Sequence, residues 1–106
     1  MISIKPGAKL DGLRPEMVLA LVVADQVWGT MQADLVVTEA TGGKHMENSL
    51  HYSGCAVDLR TSNVRPTALQ GVVDLLRQRL GENYDVVLES DHAHVEFQPH
   101  RPKEAQ

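Results

Sequence analysis

The chain has 106 residues and a formal net charge of −4, which limits both its size and its partners. A chain of this length can bury one core of its own, so we expect residues 1–106 to form a single domain. An apolar content of 42% with 23% charged residues argues against disordered and fibrous classes. The acidic balance and the scattered basic residues argue against a nucleic-acid partner, which would need a basic patch.

The first third of the chain predicts an extended lead-in followed by a helix. Residues 1–13 contain a proline and two glycines and lack a helical pattern. From Arg14 to about Met31 apolar residues recur at helical spacing, and Pro15 suits the first turn of a helix. We expect this helix to pack on a sheet, with Trp28 in or near the core.

The rest of the chain predicts four strands and a second helix. Apolar and β-branched runs between turn residues predict the strands, and apolar residues at helical spacing after a proline predict the helix. The predicted strands are 34–38, 56–60, 84–89 and 92–97, and the predicted helix is 66–80, with Gly81 as its C-cap. The last two strands form a hairpin in this prediction. The tail 99–106 is expected to be loosely ordered.

The stretch 49–60 places a histidine and a carboxylate seven positions apart. Between His51 and Asp58 stands Gly54, whose backbone freedom permits a sharp bend that turns the imidazole towards the carboxylate. Side chains of a strand alternate between its two faces, so Asp58 and Arg60 share one face and the apolar residues between and before them point to the core. The first stretch therefore predicts half of a metal site.

The stretch 89–97 supplies the other half. Strand alternation puts His92, His94 and Glu96 on one face and the intervening apolar residues on the other. A catalytic zinc needs about three protein ligands, drawn from His, Asp, Glu or Cys, and one position open for water. If the two stretches lie on neighbouring strands, one of these histidines comes close to His51 and Asp58. Zinc is favoured over other metals because it suits a mixed set of His and carboxylate.

The two stretches resemble the motifs of a known peptidase family. The matching pattern is Ser49-x-His51-x-x-Gly54-x-Ala56-x-Asp58, followed by His92-x-His94. It is similar to the metallopeptidases that include D-Ala-D-Ala carboxypeptidases and dipeptidases, LD-endopeptidases and phage endolysins. It also resembles the amino-terminal signalling domain of hedgehog proteins, which shares that fold.

The resemblance covers roughly residues 36–97 and implies an α+β fold. In that fold a small, mainly antiparallel sheet packs on two helices and leaves a metal cleft on its open face. The implied function is a zinc-dependent peptidase that hydrolyses peptide bonds of peptidoglycan, as a D-Ala-D-Ala carboxypeptidase or as an endopeptidase such as a phage endolysin. The implied ligands of Zn²⁺ are His51, Asp58 and His94.

The family also implies a general base just upstream of the last ligand. Asp91 stands three residues before His94 and is the first choice, and Glu89, three residues before His92, is the second. Spacing alone does not separate these two acids. His92 would then either donate a hydrogen bond to the reacting group in the transition state or contact a metal ligand without binding the metal itself.

The arginine with which many of these peptidases bind a substrate carboxylate has no counterpart ahead of the first motif, since residues 38–45 contain none. Lys44, His45, Ser49 and Arg60 are the candidate substrate contacts. Lys44 offers a point charge, His45 lies in the glycine-containing loop, and strand parity places Arg60 on the face of the metal site. Because this arginine is missing, the substrate need not end in a free carboxylate, and an endopeptidase activity stays open.

Two further functions of the same fold are a non-catalytic zinc-binding recognition module and a structural component of a virus particle. We expect a monomer that does not insert into membranes, because the apolar run 17–23 is shorter than the roughly 20 residues of a membrane span. No signal peptide is visible at the amino terminus. An enzyme made in the cytoplasm would reach a cell wall on lysis or inside a virion.

Overall fold

The computed structural model describes residues 1–42 and 53–99, which contain five strands and two helices. In chain order these are β1 (Ile2–Ile4), α1 (Pro15–Gly29), β2 (Leu35–Glu39), β3 (Ala56–Arg60), α2 (Pro66–Leu80), β4 (Tyr84–Leu88) and β5 (His92–Phe97). The predicted α+β class is confirmed, and every predicted helix and strand is present within two residues of its predicted ends. Apart from Pro99, the predicted loose tail lies outside the described residues.

The five strands form one mixed sheet in the order β1-β2-β3-β5-β4. Three of the pairings are antiparallel, but β1 pairs in parallel with β2, with Ile2 opposite Leu35. The expectation of a mainly antiparallel sheet is therefore wrong. Within the predicted extended lead-in, β1 is a strand that the sequence did not single out. A three-residue strand is too short to show an alternating pattern in the sequence, and its partner lies beyond the first helix.

Both helices contribute to the core on one face of the sheet, because alternate strand residues point towards them. The strand residues buried in this core are Leu35, Val37, Val57, Leu59, Val86, Ala93 and Val95, and the largest buried helix residues are Met17, Trp28 and Leu76. The opposite face of the sheet carries the polar alternate residues. No helix in the two described ranges is long and apolar enough to cross a membrane.

The third strand is fixed at both of its ends. Trp28 is fully buried, as expected, and its Nε1 donates a hydrogen bond of 3.3 Å to the main-chain oxygen of Arg60. Before the strand, Gly54 has a φ of +79°, and a Cβ atom there would collide with the main-chain oxygen of Gly12. The bend predicted at Gly54 is confirmed. These contacts hold β3, and with it Asp58, in one position on the sheet.

Candidate metal and substrate site

The polar face of the sheet brings residues of the two motif stretches opposite each other. In the antiparallel pair of β3 and β5, Asp58 lies opposite His94 and Arg60 lies opposite His92. Residues that face each other across an antiparallel pair share one side of the sheet and are in contact range. Asp58 is only 9% exposed, so its charge needs partners within the protein.

His94 lies between two carboxylates. Its Nδ1 is 2.9 Å from Oδ1 of Asp58, and its Nε2 is 2.9 Å from Oε1 of Glu96. Because an ionised carboxylate only accepts hydrogen bonds, both ring nitrogens must carry hydrogen in this arrangement. The hydrogen bond with Asp58 raises the pKa of His94 most strongly, Glu96 raises it further, and burial opposes both. The metal-free cluster therefore favours the imidazolium form.

The second histidine is held by the acid that precedes it. Nδ1 of His92 is 2.7 Å from Oδ1 of Asp91, while its Nε2 lies 3.8 Å from Oδ1 of Asp58. The hydrogen bond from His92 lowers the pKa of Asp91 below its ordinary value. Asp91 contacts His92 in this arrangement, although its sequence spacing had suggested a role beside His94.

A polar cavity of about 330 Å³ opens beside these groups. Its lining residues are Lys5, Thr38, Glu39, Asp58, Arg60, Ser62, Asp91 and His92. A register shift in β2 between Val37 and Glu39 makes room for this wall, and the Thr38 hydroxyl donates to the main-chain oxygen of Asp58 at 3.3 Å. Such irregularities bend a strand and turn side chains towards a neighbouring site.

The structure brings together five of the predicted site residues: Asp58, Arg60, Asp91, His92 and His94. Glu89 is exposed at the turn between β4 and β5 and is not part of the cavity wall.

The predicted ligand His51 and the predicted substrate contacts Lys44, His45 and Ser49 lie outside the described residues. Among the residues that the structure describes, no three side chains of His, Cys, Asp or Glu are arranged to hold a metal ion. The predicted zinc site is therefore represented by Asp58 and His94 alone.

Sequence reasoning missed part of the cavity wall. Lys5, Glu39 and Ser62 line it, but none of them stands in a recognisable motif. Glu96 was placed on the correct face, yet its contact with His94 was not predicted. Alternation along β5 was the available signal for that contact, since His94 and Glu96 are two residues apart on one side of the strand.

The model of the Hedgehog amino-terminal signalling domain matches residues 14–97. This range includes both helices and the four strands from β2 to β5. The chain belongs to the hedgehog amino-terminal signalling domain family. The fold of this family is related to that of zinc peptidases, so the resemblance is confirmed at the level of the fold. No curated protein matches the chain. Lys5 and the strand before it lie outside the hedgehog match.

Proposed function

We propose that this chain is a zinc-dependent peptidase that hydrolyses peptide bonds of peptidoglycan. The observation that carries the proposal is the cluster of Asp58, His94 and Glu96 beside a cavity that also contains Asp91 and His92. A buried carboxylate with a partly buried imidazole, next to an open cavity, provides the kinds of group that metal-assisted hydrolysis uses. The relationship between the hedgehog fold and zinc peptidases supports the same reaction class.

The donors of this cluster are suited to zinc. Asp58 and His94 already face each other at 2.9 Å, and together with His51 they would hold the metal through one carboxylate oxygen and two imidazole nitrogens. Glu96 would keep its contact with Nε2 of His94. When a carboxylate accepts a hydrogen bond from one ring nitrogen of a histidine, it fixes the orientation of the ring, and the other nitrogen is left to bind the metal. In His94 that other nitrogen is Nδ1.

Zinc supplies polarisation of the scissile carbonyl and a lower pKa for a bound water molecule. The residues of the chain would orient the substrate and move the proton. Asp91 lies in the cavity wall, where it can accept a proton from the attacking water and pass it to the leaving amine. His92, oriented by Asp91, can donate a hydrogen bond to the oxygen on which negative charge develops.

Placement favours Asp91 over Glu89 as the general base, because Asp91 lines the cavity and Glu89 does not. The contact with His92 lowers the pKa of Asp91, which keeps the carboxyl group in the ionised form that a base requires. The same contact makes the carboxylate less basic, and general-base catalysis is most efficient when the pKa of the base lies near the working pH. His92 therefore has two opposing effects on Asp91 in this proposal: it keeps the carboxyl group ionised, and it lowers its basicity.

A non-catalytic zinc-binding recognition module is the second candidate. It is favoured by membership of the hedgehog signalling domain family, which matches most of the chain. In that case Asp91 and His92 would have no proton to transfer. Their replacement would then leave binding of the partner nearly unchanged.

The test combines metal analysis with hydrolysis of purified peptidoglycan, with and without a chelator, and mass spectrometry of the released fragments. We expect near-stoichiometric zinc and chelator-sensitive release. Asp91→Asn should lower the rate by about 10²- to 10⁴-fold, the usual contribution of a general base, and should retain zinc. Asp74→Asn, on the exposed side of α2, is the matched control. Zinc without release from several wall types would favour the recognition module, and absence of zinc would contradict both.

A further inference from the structure

We propose that this protein forms a dimer in solution through the outer face of α1, formed by Val18, Leu19 and Val22, which packs antiparallel against the same face of a second copy. The three side chains are 51%, 57% and 48% exposed, respectively. They lie within about one helical turn of each other, so they form one apolar patch. The patch lies away from the cavity, and the proposal does not depend on the peptidase function.

The two helices differ in what they expose to water. α1 is described throughout, and none of its exposed positions carries a charge: they are Pro15, Val18, Leu19, Val22, Gln26 and Gly29. α2 is also described throughout, and its exposed positions include three charged residues and no large apolar one. The surface helix of a monomer normally has the second pattern, whereas a helix that is apolar all round is normally buried on both sides.

The side of α1 opposite the outer face is already used by the core. The buried residues of the helix are Met17, Ala20, Leu21, Ala24, Val27 and Trp28. A rotation of the helix that buried Leu19 would expose Met17 and Trp28, which are fully buried. A contact from outside this core is therefore needed to remove the outer face from water.

The charges at the two ends of the outer face specify an antiparallel pair. Arg14 directly precedes α1 and Asp25 stands eleven residues later, which is about three helical turns, so both lie on one flank. In an antiparallel pair, Arg14 of each copy comes level with Asp25 of the other copy. Opposite charges then frame the interface, whereas a parallel pair would bring like charges together.

Both charged groups remain accessible for such a contact. The side chain of Arg14 is 58% exposed and that of Asp25 is 33% exposed. Arg14 has only a long contact within the molecule, with its Nε 3.9 Å from Glu16. Asp25 lies 3.0 Å from the amino nitrogen of Met1. Exposed ion pairs contribute little affinity, so the charges would set the orientation of the helices and the apolar patch would supply the attraction.

The size of the outer face determines how strong the dimer can be. A helix of 15 residues is about 22 Å long and about 10 Å wide with its side chains, so the pair covers roughly 200 Å² of each copy in projection. A standard stable interface buries about 800 Å² of accessible surface on each partner. The helix pair is smaller, and we therefore expect a reversible dimer with a Kd above about 1 μM.

The proposed dimer leaves the candidate site accessible in both copies. The cavity that contains Asp58 and His92 opens on the polar face of the sheet, and α1 packs on the opposite face. Contact through the outer face of α1 would place the two cavities on opposite sides of the assembly.

Sedimentation equilibrium over a series from about 1 μM to about 1 mM protein, with a chelator present, tests the dimer. We expect a monomer–dimer equilibrium in the unmodified protein. Leu19→Lys should weaken the dimer at least about tenfold, because each copy loses an apolar contact and a charge enters the apolar patch. Thr67→Lys is the matched control, since it adds the same charge at an exposed position of α2 and should leave the equilibrium unchanged.

Arg14→Glu tests the direction of the helices. It should weaken an antiparallel dimer by about three- to tenfold, because two pairs of opposite charge become pairs of like charge. Exchange of the two charges within one chain, Arg14→Asp with Asp25→Arg, should restore the lost affinity. A stronger dimer in Arg14→Glu would overturn the antiparallel arrangement. Unchanged affinity in Leu19→Lys, or a dimer seen only without chelator, would overturn the interface. A monomer at every concentration would overturn the dimer in favour of a helix from another protein.

Discussion

The imidazole of His94 joins two strands of the sheet through carboxylates, with Nδ1 at 2.9 Å from Asp58 on β3 and Nε2 at 2.9 Å from Glu96 on its own strand. Asp58 and His94 belong to the two stretches in which the sequence predicted a metal site. Glu96 adds a function that the motif does not contain, since it fixes the ring from the side away from Asp58. The proposed zinc affinity therefore depends on a residue outside the ligand set.

Replacement of Glu96 tests this dependence. Glu96→Ala should weaken zinc binding by about 10- to 100-fold, the usual effect of removing the carboxylate that orients a metal-binding histidine. Glu96→Gln should weaken it less, because the amide oxygen can still accept a hydrogen bond from Nε2. Competition with a chromophoric chelator measures both affinities. Glu82→Ala, an exposed acid after α2, should bind zinc as the unmodified protein does. Undiminished affinity in Glu96→Ala would contradict the role of this residue.

The stability of the metal-free protein should depend on the protonation of His94. Its pKa is raised in the folded protein, mainly by Asp58, so the folded state binds the proton more tightly than the unfolded chain does. The resulting stabilisation is fully present below the ordinary histidine pKa of about 6.5. It is lost as the pH rises through the higher pKa of the folded state.

Urea unfolding in the presence of a chelator, at a series of pH values from below 6.5 upwards, measures this dependence. The free energy of unfolding should fall across that range in the unmodified protein. His94→Gln should flatten the fall, because glutamine does not titrate. With zinc present the trend should reverse, since protons and metal compete for His94. A fall of equal size in His94→Gln would assign the effect to the other histidines.

The parts of the site that could be predicted are those set by alternation within one strand and by a short hairpin. Asp58 follows from the pattern of β3, and His92 and His94 follow from that of β5, because one face of each strand must be apolar to reach the core. The antiparallel pairing of these two strands then brings Asp58 opposite His94, in a register that the structure supplies and the sequence did not predict. The bend at Gly54 was predictable for a similar local reason.

The remaining parts depend on contacts that no local pattern encodes. Lys5 reaches the cavity because a three-residue strand pairs in parallel with β2, a pairing fixed by tertiary packing and by the connection through α1. Asp91 contacts His92 because of the conformation of the turn between β4 and β5, although its spacing from His94 suggested otherwise. Sequence spacing identifies which residues share a face, and tertiary structure decides which of them meet.

Trp28 connects the core to the site, and its replacement should affect both. Trp28→Phe removes the Nε1–H that donates to the oxygen of Arg60 at 3.3 Å and leaves unfilled volume in a fully buried position. We expect a loss of about 1–3 kcal/mol in the free energy of unfolding, from the unpaired carbonyl and the smaller ring. Urea denaturation measures the loss. A change below about 0.5 kcal/mol, which is typical of surface substitutions, would show that the contact does not hold the end of β3.

The turn before β3 provides a paired test with two glycines. Gly54 has a φ of +79° and lies where a Cβ atom would collide with the main-chain oxygen of Gly12, whereas Gly71 lies in α2 with no atom within 4 Å of the corresponding position. Gly54→Ala should cost at least about 2 kcal/mol, because an L-residue is strained at this φ and the backbone of residue 12 would have to move. Gly71→Ala should stabilise by about 0.5–1 kcal/mol, the difference in helix propensity.

Urea unfolding should thus separate the two alanine variants in sign, and zinc titration should separate them in function. Gly54→Ala displaces the start of the strand that carries Asp58, so its zinc affinity should fall together with its stability. Gly71→Ala changes a helix remote from the cavity and should bind zinc as the unmodified protein does. If Gly54→Ala lost stability but kept full zinc affinity, the bend would serve the fold alone, and the position of Asp58 would be determined by the pairing of β3 with β5.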